Sequence, residues 1–134
     1  MILKGRTIFP GQVCGTALVS SMNISFFGGI DPQTGMVVEK NHELEGQSIK
    51  EKILVFPKGK GSTVGSYTLY RLKSLGNAPA AIINSECEAI IAVGCIISEI
   101  PCIDQIKIEA IKSGDYIKLN ADQGVLETLP FQNR

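Results

Sequence analysis

Apolar positions in the first half of the chain come in short runs, RTIF, GTALVS, MVVE and ILVFP, separated by clusters of Gly, Pro, Asn and Asp. Short apolar runs bounded by turn-forming residues predict strands, so this half reads as mostly sheet. The period changes after residue 65. Leu69, Leu72 and Leu75, with Tyr67 and Tyr70, recur at helical spacing until Gly76, and Pro79 follows, which predicts a helix over 66–75 with a clear stop. AAIIN is a run suited to a buried strand, and Ser85 and Glu88 in SECE have the serine-x-x-glutamate spacing of a capping box. A second helix is predicted over about 86–98, then a short buried strand over 100–103. YIKLNADQGVLETL reads as two strands joined by a turn at 122–124, and FQNR reads as a loose tail.

The order strand, loop, helix, strand, helix, strand predicts an α/β fold: a short parallel core with two main helices on one or both faces. The remaining strands supply a second, strand-rich layer or barrel-like sheet. No internal repeat, low-complexity tract or charge block divides the 134 residues, which predicts one domain over 1–134.

Charge narrows the function. Thirteen basic and thirteen acidic residues cancel, so no whole-chain field favours nucleic acid or an anionic membrane surface. No apolar run approaches the roughly 20 residues of a membrane span, and MILKGRTIFPG lacks the apolar core of a signal peptide, which points to a cytoplasmic protein. The four cysteines form no CxxC pair. Cys87, Cys95 and Cys102 are separated by eight and seven positions, not the spacings of zinc or ferredoxin-type sites, and read as small core residues instead of metal ligands.

The chemistry concentrates in KGKGSTVGSY, residues 58–67, which follows a strand and opens the first helix. A helix N-terminus offers unpaired N–H groups and partial positive charge to a phosphate, a carboxylate or a developing oxyanion. The loop is not a Walker A motif, because lysine precedes the Gly61-Ser62-Thr63 run, and its glycines are spaced GxGxxxG, not as a dinucleotide fingerprint. The bland alternative is tight turns at Gly59, Gly61 and Gly65, a cap from Ser62 or Ser66, and solvated lysines. Against it stands the density of Lys, Gly, Ser and Thr at the C-terminal end of a strand, where open α/β sheets place their ligands.

A second polar cluster, SFFGGIDPQTG at 25–35, has turn chemistry in Gly28, Gly29, Asp31, Pro32 and Gly35, with Phe26 and Phe27 as core or a partner-facing patch. His42 is the single histidine, and no GxSxG elbow accompanies it, so it reads as a polar structural residue in a loop.

The ordered set GTALVSS, ISFFGGIDPQTG, NHELEGQSI, ILVFPKGKGSTVGSY, GNAPAAIIN and IIAVGCIISEIP resembles the small subunit of the aconitase X family, from about residue 5 to about residue 120. The resemblance implies a swivelling β/β/α domain, like the mobile domain of aconitase. It would work against a large subunit that carries an iron–sulfur cluster of the [4Fe-4S] type. The implied reaction is water loss from a β-hydroxy acid, foremost 5-phosphomevalonate going to trans-anhydromevalonate 5-phosphate in an archaeal-type isoprenoid route. Ser62 falls at the position of the family's serine base. Lys60, Gly61, Thr63 and Ser66 are implied as its supporting and substrate-binding neighbours, and Gly28, Gly29 and Asp31 as the other side of the cleft. Aconitase itself has an arginine two residues after its serine, where this chain has Val64, which leaves the carboxylate clamp to the large subunit. Two other readings stay open: a related dehydratase acting on cis-3-hydroxyproline or another hydroxy acid, and a stand-alone anion-binding module without catalysis.

Overall fold

The computed structural model describes residues 1–129, so the FQNR tail lies outside the described residues. Eight strands form one sheet in the order β1-β10-β9-β3-β6-β7-β8-β2. They are β1 (Ile2–Lys4), β2 (Arg6–Phe9), β3 (Gln12–Val19), β6 (Ile53–Phe56), β7 (Ala81–Asn84), β8 (Cys102–Asp104), β9 (Tyr116–Asn120) and β10 (Val125–Leu129). A two-stranded ribbon, β4 (Ile30–Asp31) with β5 (Met36–Val37), lies in the long β3–β6 connection. The helices are α1 (Gly65–Ser74) and α2 (Ala89–Ser98).

The sheet has two halves that share β3. Its first part pairs antiparallel with β9, from Gln12 opposite Asn120 to Thr16 opposite Tyr116. Its last three residues pair in parallel with β6, from Ala17 beside Ile53 to Val19 beside Val55. β6, β7 and β8 continue in parallel, and β2 closes that half antiparallel to β8. β1 and β2 are nearly contiguous in sequence yet pair at opposite ends of the strand order, with β10 and with β8. Gly5 is the joint between them, and a Cβ there would sit 2.0 Å from the Asp104 carbonyl oxygen, so only glycine fits.

Alternation along the central strands divides the core in two, because successive side chains point to opposite faces. Ile53, Val55, Ala81, Ile83 and Ile103 meet Ile117, Leu119 and Leu126 of the antiparallel half, with Ile106, Ile108 and Ile111 closing that layer. Leu54, Phe56, Ile82 and Cys102 face the other way, against Leu69 and Leu72 of α1, Ile91 and Cys95 of α2, and Phe26 and Ile30. The layers therefore run β, β, α, as expected, and both helices pack side by side over the parallel half.

The parallel core, the two helices and the terminal hairpin match the sequence pattern, and three details differ. β1 lies in a segment for which no strand was predicted. Of the helical stripe, Leu69 and Leu72 are buried while Tyr67, Tyr70 and Leu75 are exposed. The second helix begins at Ala89, and its N-cap is Glu88, whose carboxylate accepts from the N–H groups of Ile90 and Ile91 at 2.9 and 3.0 Å. Ser85 is no cap, because its N–H and that of Glu86 bond back to the Pro57 carbonyl, which holds this stretch to the end of β6.

Candidate functional site

Residues 58–64 leave the C-terminal end of β6 and are held against the segment that follows β3. The Ile24 N–H donates to the Lys58 carbonyl at 3.3 Å and the Lys60 N–H to the Ile24 carbonyl at 3.0 Å, a one-residue parallel bridge between Ile24 and Gly59. Close approach explains the glycines. A Cβ on Gly59 would meet Glu88 Oε1 at 2.5 Å, and one on Gly61, whose φ is +95°, would meet Ser25 Oγ at 2.7 Å. Gly29 faces the same constraint, 2.1 Å from the Ser25 carbonyl oxygen.

These contacts form an open cleft of about 430 Å³ lined by Ser25, Phe27, Gly28, Gly29, Glu39, Lys60 and Gly61. Four of the sequence-proposed residues, Gly28, Gly29, Lys60 and Gly61, therefore share one cleft. Lys60 Nζ lies 2.8 Å from Glu39 Oε2. Both groups are partly exposed, so the pair contributes at most about 1 kcal/mol and a stronger anion can exchange for Glu39.

Ser62 and Thr63 follow on the exposed rim. The Ser62 carbonyl accepts from Gly65 N–H at 2.9 Å, which starts the turn into α1. Ser62 Oγ accepts from the Val64 N–H at 3.1 Å, so a backbone donor already points at the hydroxyl oxygen while its proton stays free. α1 has no side-chain cap at its N-cap position, Val64. The cap expected from Ser62 or Ser66 is thus replaced by a local serine turn that leaves the hydroxyl at the surface.

The other proposed residues have different surroundings. Ser66 is buried, and its hydroxyl donates to the Ile90 carbonyl at 2.7 Å, tying α1 to α2. In the free chain this hydroxyl is occupied. Asp31 accepts from Gln33 N–H at 3.0 Å and Thr34 Oγ1 at 3.2 Å, so its carboxylate stabilises its own turn, and it lines a neighbouring groove with Gly28. Phe26 is core, tilted against Phe56 at 6.1 Å between ring centroids, whereas Phe27 is 55% exposed. His42 is buried in a structural role. Its Nδ1 accepts from Leu44 N–H at 3.1 Å, which leaves Nε2–H to donate to the Asn23 carbonyl at 3.0 Å. Sequence reasoning missed Ser25, which the Ile24–Gly59 bridge sets beside the loop, and Glu39, which reaches the cleft because its N–H donates to the Gly29 carbonyl at 3.2 Å.

The cysteines do not fit an iron–sulfur cluster. Cys95 and Cys102 are fully buried in the helix-side core, and Cys87 packs against them. The Cys87 thiol is pushed far up by its hydrogen bond to Cys102, by burial, and by the charges of Cys102, Asp104 and Glu88, which favours the protonated form of a core thiol. Among the described residues no group of three or more His, Cys, Asp or Glu is arranged to hold a metal ion. Asp104 is instead an internal clamp. It is fully buried, takes Arg6 in a fork at 3.0 and 2.8 Å and accepts the Cys87 N–H at 2.8 Å, which fastens β2 and the β7–α2 turn to β8. The Asp104 carboxylate, through its hydrogen bond and its charge, holds the Arg6 guanidinium above its ordinary pKa.

A profile of the aconitase X swivel domain matches residues 2–128. The chain belongs to that family. It is 55% identical over 130 residues to the phosphomevalonate dehydratase small subunit of Methanosarcina acetivorans, covering 95% of this chain and 90% of that one. With the protein of the same description from Thermococcus sibiricus it shares 53% over 124 residues, 92% of this chain and 95% of the relative. The crystal structure of Thermococcus kodakaraensis aconitase X in its holo-form superposes with a TM-score of 0.95 at 49% identity, covering 96% of this chain and 98% of that one. The two-helix, eight-stranded β/β/α domain is thus the aconitase X swivel fold. Among the described residues no helix is long and apolar enough to cross a membrane.

Proposed function

We propose that this chain is the small subunit of a phosphomevalonate dehydratase and that Ser62 is its catalytic base. The observation that carries the assignment is Ser62 itself, an exposed residue that directly follows the cleft-lining Gly61 and has a backbone N–H on its hydroxyl oxygen. Near-full-length identity of about half to relatives of that description supports the substrate. In the reaction, Ser62 Oγ takes the proton from the carbon beside the substrate carboxylate. The C–H electron pair becomes the new double bond, and the hydroxyl on the next carbon leaves as hydroxide and takes up a proton from solvent to give water. Ser62, which acts as the alkoxide after losing its own proton to solvent, returns the proton it gained to solvent. A serine is a poor base unless its alkoxide is stabilised, and the Val64 N–H together with the N-terminal end of α1 supplies that stabilisation. Lys60, released from Glu39, adds positive charge beside it, while Gly61 keeps the wall thin enough for the substrate to approach and Thr63 orients it.

Half of the site is on another chain. The larger subunit implied by the relatives' description supplies the carboxylate clamp and, on this reading, holds the iron–sulfur cluster, for which the thiols here are unsuited. The test is an anaerobic reconstitution of both subunits assayed for water loss from 5-phosphomevalonate. Turnover that needs both chains and collapses in Ser62→Ala supports the proposal. Full turnover in Ser62→Ala removes Ser62 as base, and an intact complex that dehydrates cis-3-hydroxyproline in place of phosphomevalonate overturns the substrate.

A further inference from the structure

Helix α2 is apolar on the side where a surface helix should be polar. Its sequence AIIAVGCIIS contains no charged residue. Ile91, Gly94, Cys95 and Ser98 face inward and are buried, but Val93, Ile96 and Ile97 on the other side remain 48%, 50% and 40% exposed. A helix that is hydrophobic all round is one that is covered all round. Beside it, α1 exposes Tyr67 (70%), and Tyr67, Val93 and Ile97 wall a groove of about 370 Å³ between the helices. Tyr67 also walls the groove of about 580 Å³ on the far flank of α1, with Phe27, Val38, Val64 and Arg71. Two ten-residue helices side by side, each about 15 Å long and 10 Å across, span roughly 300 Å² before the flank is added. The face is of the order of the largest apolar patch on a monomer, a kind of patch that is often functional, and it would form the centre of a standard interface of about 800 Å² per partner.

We infer that this α1–α2 face, from Val64 to Ile97, is the seat of the larger subunit, which meets it with an apolar surface rimmed by carboxylates. The inference rests on the two-subunit reading above. Two observations select that occupant. The face is continuous with the catalytic loop, since Val64 and Thr63, the residues after Ser62, wall the two grooves. A chain that completes the site at Ser62 must therefore approach along this surface. The charges of the two helices are of one sign, because α1 carries Arg71 and Lys73 with no acid and α2 carries no charge at all. The acid of this face, Asp31, belongs to the flanking groove, where its carboxylate accepts within its own turn. Among the described residues neither cation has an ion-pair partner. A second copy docked helix face to helix face brings no carboxylate from either helix to these cations, whereas a partner with acidic residues there pairs them.

The experiment is a binding titration of the purified larger subunit with wild type, Ile97→Asp, Arg71→Glu and Ser62→Ala chains, each checked for native secondary structure by circular dichroism. Ile97→Asp is expected to weaken association by 100-fold or more, with turnover recovered at saturating concentrations of the variant. Arg71→Glu, an exposed change that leaves the core intact, is expected to weaken association about tenfold at low salt and progressively less as salt rises. Ser62→Ala should bind as wild type and fail to turn over. Affinities for Ile97→Asp and Arg71→Glu within twofold of wild type would overturn the inference. So would an isolated chain that is dimeric, becomes monomeric with Ile97→Asp, and still binds the larger subunit normally. A tight complex that depends on Ile97 yet does not dehydrate phosphomevalonate keeps this interface and rejects the substrate.

Discussion

Residues 53–56 are fully buried, each side chain packed into one of two apolar layers and each backbone group in a parallel ladder, whereas residues 60–64 immediately beyond them are exposed and polar or glycine except for Val64. The strand is held by area and by neighbours on both sides. The loop is held by one backbone bridge, two crowded glycines and a surface ion pair. Position is thus supplied by β6, and, on the proposed function, reactivity by a short excursion that gives up packing so that the Ser62 hydroxyl can meet substrate. Stability and activity should separate along this boundary, and substitutions on either side can test that.

The largest expected effect is on the loop. Ser62→Ala in the assembled enzyme should lower kcat by about 10²- to 10⁴-fold, the usual contribution of a positioned base, while melting at the wild-type temperature. On the strand side the expectation reverses: Ile83→Ala, which hollows the layer between the sheet halves, should cost about 2–5 kcal/mol in chemical denaturation and leave turnover per folded molecule unchanged. Gly61→Ala blurs the boundary, because its positive φ and the 2.7 Å contact with Ser25 Oγ strain the loop. A loss of about 1–3 kcal/mol together with reduced kcat is expected, read by thermal melts and initial rates.

The smallest effect concerns a carboxylate at the β3 exit. Glu43 accepts from the Ser20 hydroxyl at 2.7 Å, from the Ser21 N–H and hydroxyl and from the Met22 N–H. The Ser20 hydroxyl first, together with the Ser21 and Met22 donors, outweighs the opposing effect of burial and holds the Glu43 pKa below the ordinary glutamate value. A depressed folded pKa gives stability that is present above the unfolded value of about 4.3 and lost as pH falls through the folded one. Wild type should therefore melt slightly higher than Glu43→Gln at pH 7, and the two curves should converge as thermal scans are taken down toward pH 3.

Much of this division was legible from residue order. The runs ILVF and AAIIN announce strands buried on both faces because they lack alternation, and Leu69 and Leu72 announce α1 by their spacing. The reactive loop stood out because glycine, serine and lysine crowd where a strand ends. The start of α2 was misplaced because Ser85 and Glu88 fit a capping box, while the tertiary bonds of Ser85 and Glu86 to Pro57 prevent the turn from forming there. Ser25 lay in a cluster read only as turn chemistry, and neither its place beside the loop, set by a bridge between distant segments, nor that of Glu39, set by the bond of its N–H to Gly29, could be read from residue order. The exposed isoleucines of α2 were hidden by their own hydrophobicity, which reads as core.

The placement of β1 and β2 has a consequence for the timing of synthesis. Ile2 is opposite Glu127 and Arg6 opposite Asp104, so neither strand has a partner until most of the chain exists, and β1 has none until β10 has been made. Residues 2–9 therefore stay a bare, strand-prone segment while the parallel half assembles behind them. The β9–β10 hairpin then closes the sheet, so a ribosome stalled before residue 125 would present a nascent chain with an open sheet edge, a natural substrate for chaperones.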